Sequence, residues 1–576
     1  MDFLAPEKDL SFLLNDVFDV QAEWRDIPEF ADFTDDVLAA VISEGGRYAQ
    51  DVLAPINQTG DAEGCHWDDG AVTTPAGYPE AFREFVQGGW LGLSGNPEHG
   101  GQGMPKMLGC LLEEMFWAAN PSFYLYGTLT VGAALCIDSH GTPEQKALYL
   151  PRLYSGEWTG AMDLTESHAG TDLGMIRTKA VPNADGSYAI TGTKIFITSG
   201  EHDLADNIVH LVLAKLPDAP SGSKGISLFI VPKVMTDDAG TLQSRNAVSS
   251  GSLEHKMGIR ASATNVMNFD GATGYLLGEP NQGLACMFTM MNYERLSVGL
   301  QGLGAGEAAY QIAAAYARDR LQGRSPQGPQ NPDGPADSLL VHPDVRRMLL
   351  TARAYTEGGR AFGMFVGLQL DRGKYAGDQQ AQAYSELLTP VAKAFLSDRG
   401  FEAAVAAQQV FGGHGYVKEW GAEQLVRDAR IAQIYEGTNG VQAMDLIGRK
   451  VLRDGGRTLS ALLDHMRQAP VAQAHADAVA AAFERLSSVT QSVVSRSQED
   501  PSLPGAVATD YLDLVGHTVY AWLWGRMANQ SGHELAETKQ ATARFFFDRL
   551  LPRTLALEAG ILATSEGVSG FPEASF

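Results

Sequence analysis

Residues 188–200 read YAITGTKIFITSG, a run of β-branched and aromatic residues that ends on a serine and a glycine. The segments NIVHLVLAKL, GISLFIVPK and VMNFDG share its character: each is short, rich in Ile, Val, Leu or Phe, and bounded by Gly, Asp, Asn or Pro. Such segments form strands. On either side the spacing changes. From Glu29 to about Gly160 apolar residues recur every three or four positions, as in DDVLAAVISEGGRYAQDVLAPI and MLGCLLEEMFWAANPSFYLYGTLTVGAAL. From Met287 the same period returns in FTMMNYERLSVGLQGLGAGEAAYQIAAAYARDR and SELLTPVAKAFLSDRGFEAAVAAQQVFGG. That is the period of amphipathic helices. The chain therefore predicts helices, then strands, then helices, an α+β multidomain fold.

At 576 residues the chain is too long for one hydrophobic core. The changes of period place an N-terminal helical domain at 1–160, a central β-domain at 161–284 and a second helical domain at 285–450. Beyond Lys450, TLSALLDHMRQ, AVAAAFERLSSVTQSVVS, TDYLDLVGHTVYAWLWGRMANQ and ATARFFFDRLLPRTLALEAGILA predict four more helices, an additional C-terminal helical domain at 451–576. One interruption, LQGRSPQGPQNPDGPADS, crowds Gly, Pro, Gln and Asn together and predicts a surface loop between helices.

Hydrophobic residues at 44% and charged residues at 19% are those of a folded globular chain. A net charge of −26 argues against binding nucleic acid or an anionic membrane surface. Cys65, Cys110, Cys136 and Cys286 are widely spaced, so packed free thiols are expected rather than a zinc site or disulfides. The start, MDFLAPEKDLSFLLNDVF, carries acids where a secretory signal carries bases, and no stretch of about 20 uncharged apolar residues could span a bilayer. A cytoplasmic address is the expectation.

The stretch IAQIYEGTNGVQ, Ile431–Gln442, sets one carboxylate, Glu436, between an aromatic ring and a Gly-Thr-Asn-Gly turn. Earlier, MDLTESHAGTDLGMIRTKA joins small and hydroxylated residues to the strand-rich region, where backbone can approach a ligand closely and hydroxyls can donate to it. These two, with ITGTKIFITSG and KMGIRASATNVMNFDG, and with QQVFGGHGYVKEWGAEQLVRDAR leading into the first, form an ordered set. Over about residues 30–450 that set resembles the acyl-CoA dehydrogenase family, whose members carry T-E-P-x-A-G-S-D, K-x-W/F-I-T-N/S-G, K-x-G-I-R-x-S and Q-x-x-G-G-x-G-[YF]…I-Y-E-G-T. The ending YEGTNGVQAMDLIGRK, the part beyond Lys450 and the N-terminal APEKDLSFLLNDV resemble a longer bacterial branch that includes 3-methylmercaptopropionyl-CoA dehydrogenase.

The resemblance implies FAD, an acyl-CoA substrate that loses its α-proton and β-hydride as a trans pair, and electron-transfer flavoprotein as the acceptor. It implies that Leu164, Thr165, Phe196 and Thr198 meet the flavin ring and that Thr171 lies near the pyrophosphate. Arg320, with Gln322, and Gln409, Gly412 and Gly413 would complete the FAD site of a neighbouring subunit, so a homodimer is expected, the C-terminal part covering the surface that would pair dimers into tetramers. Glu436 would be the base that takes the α-proton, its backbone N–H also donating to the thioester carbonyl. Thr438 and Asn439 would meet the FAD, while Arg295, Tyr435 and Gly437 are assigned to the substrate.

Two departures are visible. Glu294 stands where the isovaleryl-CoA branch of the family has its base, but that branch lacks the Y-E-G-T glutamate; with Glu436 present, Glu294 is read as a structural partner, of Arg295 for instance. Ser167-His168 replaces the usual Pro-Gly of the cofactor loop. His168 and His414 receive no catalytic role, and Met287–Asn292 and Phe123–Gly127 are read as core. Within the same resemblance, an acyl-CoA oxidase and a DNA-alkylation-response flavoprotein are alternatives; the second requires a basic C-terminal region, which residues 451–576 do not have. The acyl chain stays open between fatty acyl and 3-methylthiopropanoyl.

Overall fold

In the computed structural model, which describes residues 3–576, the strand-rich segment folds as the sequence leads one to expect. Among the described residues eleven strands form, β1 (His66–Asp68), β2 (Ala71–Thr73), β3 (Trp158–Asp163), β4 (Lys179–Pro182), β5 (Tyr188–Thr198), β6 (Asn207–Lys215), β7 (Ile226–Pro232), β8 (Val234–Thr236), β9 (Leu242–Arg245), β10 (Val248–Leu253) and β11 (Thr264–Leu277). Seven of them make one sheet in the order β10-β11-β5-β4-β6-β3, with β7 paired to both β6 and β11. Strands β11, β5, β4, β6 and β7 therefore connect into a ring, which closes between β4 and β6 at the single pair Lys179 and Lys215. Strand β7 is buried along its whole length and β6 along all but its last residue, which is why both are mostly apolar rather than alternating. Ile190, Ile208, Val212, Phe229 and Phe269 pack together as one core cluster. A second cluster sets Trp158, Leu211 and Ile230 against helix residues Leu129, Ile137, Met287 and Met290. The methionines of MFTMMN thus serve as core.

The first third is less uniformly helical than its spacing predicts. His66–Asp68 and Ala71–Thr73 form a hairpin whose turn residues, Asp69 and Gly70, have φ of 46° and 87°. An Asp-Gly pair flanked by short strands is the sequence signal for such a turn.

The chain divides into two compact units. One contains Tyr48–Met104 and Asn120–Glu294; the other contains residues up to Arg47, Pro105–Ala119 and Arg295–Phe576. In the latter, the helices Pro343–Tyr375 and Gln379–Val410 run side by side, and Leu503–Ala528 packs on both. That last contact needs a glycine, because a Cβ on Gly516 would lie 2.3 Å from the Phe395 ring. Of the predicted C-terminal helices, three form as Arg457–Gln468, Ala476–Arg496 and Leu503–Ala528. The fourth breaks into Ala536–Phe545, a π-helical turn Phe546–Leu550 and Arg553–Leu562. Pro552, which has no N–H to continue a helix, marks the break. All four cysteines are free thiols, and three are buried. Among the described residues no helix is long and apolar enough to cross a membrane.

Five elements of the helical unit meet at one buried guanidinium. Arg360 donates to Glu114 at 2.9 Å, to Glu307 at 2.8 Å and to Asp9. Lys539 pairs with the same Asp9 and, at 2.8 Å, with Glu357. Glu7–Phe12, Lys106–Ala119, Gly283–Asp319, Pro343–Tyr375 and Ala536–Phe545 are thereby tied together. Burial pushes the Glu114 carboxyl up to about 7, against the pull of Arg360. The folded chain then holds a proton that the unfolded chain, titrating near 4.5, releases, so the Glu114 contribution weakens as pH rises between those values. Removing one partner of a buried ionic cluster costs roughly 3–5 kcal/mol because the others are left uncompensated. Arg360→Met is therefore expected to lower the thermal midpoint of the helical unit, followed by far-ultraviolet circular dichroism, and Glu114→Gln in the same chain to recover part of the loss. A wild-type midpoint for Arg360→Met would contradict this account.

Candidate active site

The Ile431–Gln442 segment leaves regular structure at the acid. The helix Ala422–Arg430 passes into a 3-10 turn at Ile431–Gln433, and a new helix starts at Asn439. Between them Glu436 has a φ of 56°, the left-handed region, and Gly437 follows at 80°. For a non-glycine residue that conformation costs about 1–3 kcal/mol and needs support from its surroundings. Gln442 supplies it, its Nε2 donating to the carbonyls of Glu436 at 3.0 Å and Gly437 at 3.2 Å. A side chain at 437 would collide with that amide, since a Cβ there lies 2.7 Å from it. Thr438 caps the next helix through its hydroxyl, which accepts from Val441 N–H at 3.3 Å. Tyr435 donates its hydroxyl to Gln301 at 2.5 Å.

Asn439 knots this turn to the Gln379–Val410 helix. Its Nδ2 donates to Asp398 at 2.7 Å, Ser397 Oγ at 3.0 Å and the Ala394 carbonyl at 3.2 Å, and its Oδ1 accepts from Lys393 Nζ at 2.9 Å. The side chain is fully committed, so any part of Asn439 in holding a cofactor falls to its backbone. Gln433 joins the knot by donating to Asp398 at 2.6 Å.

The Glu436 carboxylate accepts no hydrogen bond among the described residues. The side chain keeps some accessible surface, yet the protein around it is dense, and burial pushes its pKa up to about 7 against the opposing charges of Lys393 and Arg295. Burial in turn lowers Lys393 to about 7, with Glu436 and Asp398 opposing. Arg295 is also lowered by burial, but its 3.2 Å contact with Asp445 keeps it an ion pair. Asp445 opens the π-helical stretch Asp445–Leu452, a helix irregularity of the kind common at functional sites. The result is an acid that can be ionised or neutral near pH 7, held rigidly and free of competing donors. That is what a general base requires.

The residues expected at a flavin gather on the other unit. Ile195 N–H donates to the Thr165 carbonyl at 2.9 Å, and Lys194 Nζ donates to the Leu164 carbonyl and to Glu166, each at 3.0 Å. Burial pushes the Glu166 carboxyl up, but Lys194 and the donors of Thr178 and Arg177 outweigh it and hold the group at about 2. A buried ion pair thus fixes the loop. Glu166 and Ala169 exchange backbone hydrogen bonds, so Ser167-His168 forms a tight turn, and His168 Nε2 sits 3.1 Å from the Met175 carbonyl. Thr171 follows this turn on the surface. In β5 the pairing with β11 slips beside Phe196, whose φ is 60° and whose ring is left 60% exposed. Thr198 closes that strand opposite Thr264.

Arg320, Gln322, Gln409, Gly412 and Gly413 are all exposed. Arg320 and Gln322 flank a short bridge, Leu321 with Ser338, at the foot of the predicted surface loop. Asp337 organises that loop, and the N–H groups of Ser325, Asn331 and Gln330 hold its carboxyl at about 2. The Arg320 end of the Gly283–Asp319 helix is joined to the Gly412 turn by Tyr316, which stacks on Phe411 at 4.2 Å and contacts His414 Nδ1 at 2.9 Å. His414 also stacks on Trp420 at 4.2 Å. A Cβ on Gly412 or Gly413 would meet nothing within 4 Å. An exposed guanidinium beside an open glycine turn suits a pyrophosphate.

Glu294 is buried and accepts from Thr128 Oγ1 at 3.2 Å, whereas Arg295 pairs with Asp445. Sequence reasoning missed Lys393, Asp398, Gln301, Gln442 and Asp445. Lys393 had a signal, a lone cation inside the apolar run PVAKAFL.

Four family models match in chain order: the acyl-CoA dehydrogenase N-terminal domain over 43–157, middle domain over 161–272 and C-terminal domain over 281–452, then the acetyl-CoA dehydrogenase C-terminal-like domain over 457–572. The 3-methylmercaptopropionyl-CoA dehydrogenase of Ruegeria pomeroyi is 41% identical over 99% of both chains. The broad-specificity linear acyl-CoA dehydrogenase FadE5 of Mycobacterium tuberculosis is 32% identical over 95% of both. Caenorhabditis elegans ACDH-11, solved with C11-CoA, superposes with a TM-score of 0.76 at 19% identity, covering 96% of this chain and 92% of that one, a likeness of fold alone. The chain belongs to the acyl-CoA dehydrogenase family of FAD-dependent oxidoreductases.

Proposed function

We propose that the protein oxidises an acyl-CoA thioester to the trans-2-enoyl-CoA with Glu436 as the base that removes the α-proton. The observation that carries this reading is the state of Glu436: held in a left-handed turn, free of hydrogen-bond donors, and shifted by burial to about 7. A thioester α-hydrogen is too weakly acidic for water, so a positioned carboxylate must take it while the developing enolate oxygen is stabilised. The constrained Glu436 backbone orients its N–H as well as its side chain, which suits one residue to both tasks. Leu164, Thr165, Thr171, Phe196, Thr198, Thr438 and the Asn439 backbone would hold FAD, and Arg320, Gln322, Gln409, Gly412 and Gly413 would complete the FAD site of a neighbouring subunit. When bound, FAD supplies the hydride acceptor and passes electrons to an electron-transfer flavoprotein. Arg295, Tyr435 and Gly437 surround the base and stand beside the substrate.

The similarity to the Ruegeria enzyme supports 3-methylthiopropanoyl-CoA as a substrate alongside fatty acyl-CoA thioesters. Exposure of Arg320, Gln322 and the Gln409–Gly413 turn on a single chain fits their use by a second copy, and the protein is a homodimer in this reading.

Purified holoenzyme should bleach anaerobically on addition of acyl-CoA, and Glu436→Gln should keep its FAD while slowing bleaching about 10²–10⁴-fold. An equal rate in the variant would remove Glu436 as base. Because only the ionised acid accepts a proton, kcat/KM should fall about tenfold per pH unit below an apparent pKa near 7; a flat profile from pH 5 to 8 would contradict this. Thioesters from C3 to C18, with the methylthio compound among them, ranked by kcat/KM, decide the acyl chain. Peroxide formed in step with substrate, without added acceptor, would instead make the protein an oxidase. Light scattering should give the mass of two chains, and a mass of four would overturn the dimer.

A further inference from the structure

Lys393 is completely buried on the Gln379–Val410 helix, and nothing in the reaction as described gives it a task. Burying an ammonium is costly unless a charge or hydrogen bonds compensate it. Among the described residues its only hydrogen-bond acceptor is the neutral amide of Asn439, at 2.9 Å. The other charges nearby have partners of their own. Arg295 is paired with Asp445, and Arg449 stands 3.6 Å from that same carboxylate. Asp398 accepts from the amides of Gln433 and Asn439, and Arg399 beyond it contacts Glu402 and Asp513. That leaves one buried ammonium without a counter-ion in contact and one carboxylate, Glu436, without a donor. The Asn439 bond pulls the Lys393 head toward the turn that begins three residues earlier at Glu436.

We infer that Lys393 is the positioning residue that keeps Glu436 ionised and available as the base, acting through charge across the Asn439 knot rather than by touching substrate. The inference rests on the proposed role of Glu436. A carboxylate in dense protein tends to hold its proton, and a fixed cation nearby favours the charged form. After the α-proton has been taken, the same cation favours its departure, which readies the base for the next turnover. Lys393 and Arg295 are the cations facing Glu436; Arg295 is compensated by Asp445, so Lys393 contributes the uncompensated field.

The test is the pH dependence of kcat/KM for anaerobic flavin bleaching in the FAD-loaded protein. An opposite charge within about 4–6 Å is worth 1–3 pH units on a carboxylate. Lys393→Met should therefore move the acid limb alkaline by about one unit or more, with a rate about tenfold lower on the acid side and close to wild type on the alkaline plateau. Lys393→Arg should restore the limb. A merely structural lysine would lower the rate at every pH and leave the limb in place, and that result would overturn the inference. Should Lys393→Met lose its flavin, Asn439→Asp decides instead: the new carboxylate compensates Lys393, and the limb should again move alkaline, whereas an unmoved limb would overturn the inference. Wild-type bleaching in Glu436→Gln would sink the reading of the base itself, whereas an inert Glu436→Gln beside an unshifted Lys393→Met would sink the Lys393 inference alone.

Discussion

Ionising a carboxyl that protein surrounds and no donor solvates is the constraint on which the site turns. Glu436 meets it with three supports, each costly by itself. Its backbone is strained into the left-handed region, Gln442 is spent on clamping two carbonyls, and Lys393 is buried with a neutral amide as its bonded partner. The turn, the clamp and the cation come from separated parts of the chain, so the unit that contains them has to be rigid.

The Arg360 cluster supplies rigidity of that kind. It holds the helices Glu7–Phe12, Lys106–Ala119, Gly283–Asp319 and Ala536–Phe545 onto Pro343–Tyr375 through contacts between opposite charges. Its logic is opposite to that of the site. Around Arg360 every acid has a cation in contact; around Glu436 the acid is left without a contact partner among the described residues. Two groups of buried charges in one unit thus differ in whether compensation is complete. The same contrast appears in the other unit, where Lys194 and Glu166 are fully paired and fix a loop, while Phe196 is left exposed by a strand irregularity.

Much of this could be read from the chain. The shift from a three-to-four period to short β-branched runs located the sheet, and the mostly apolar character of β6 and β7 follows from burial on both faces. The Y-E-G-T stretch, through its resemblance to the family motif, singled out Glu436 as the candidate acid. What was misread has local causes. The β1–β2 hairpin is too short to carry a period, and its Asp-Gly turn was its only sign. The last predicted helix broke at Pro552, a residue visible in the sequence but outweighed by the apolar spacing around it. That Asn439, expected at the cofactor, also knots two helices together was not visible in the sequence.

The sequence by itself determined the order of helices and strands and the ordered motifs that place the chain in its family, because these depend on spacing within short windows. Only the tertiary structure decided which charges are compensated. Lys393 and Glu436 are forty-three positions apart and Arg295 and Asp445 one hundred and fifty, so no local pattern reports their pairing. Whether a buried charge stabilises or reacts depends on what lies within a few ångströms of it. That distance is set by how helices pack, and side-chain periodicity carries no record of it.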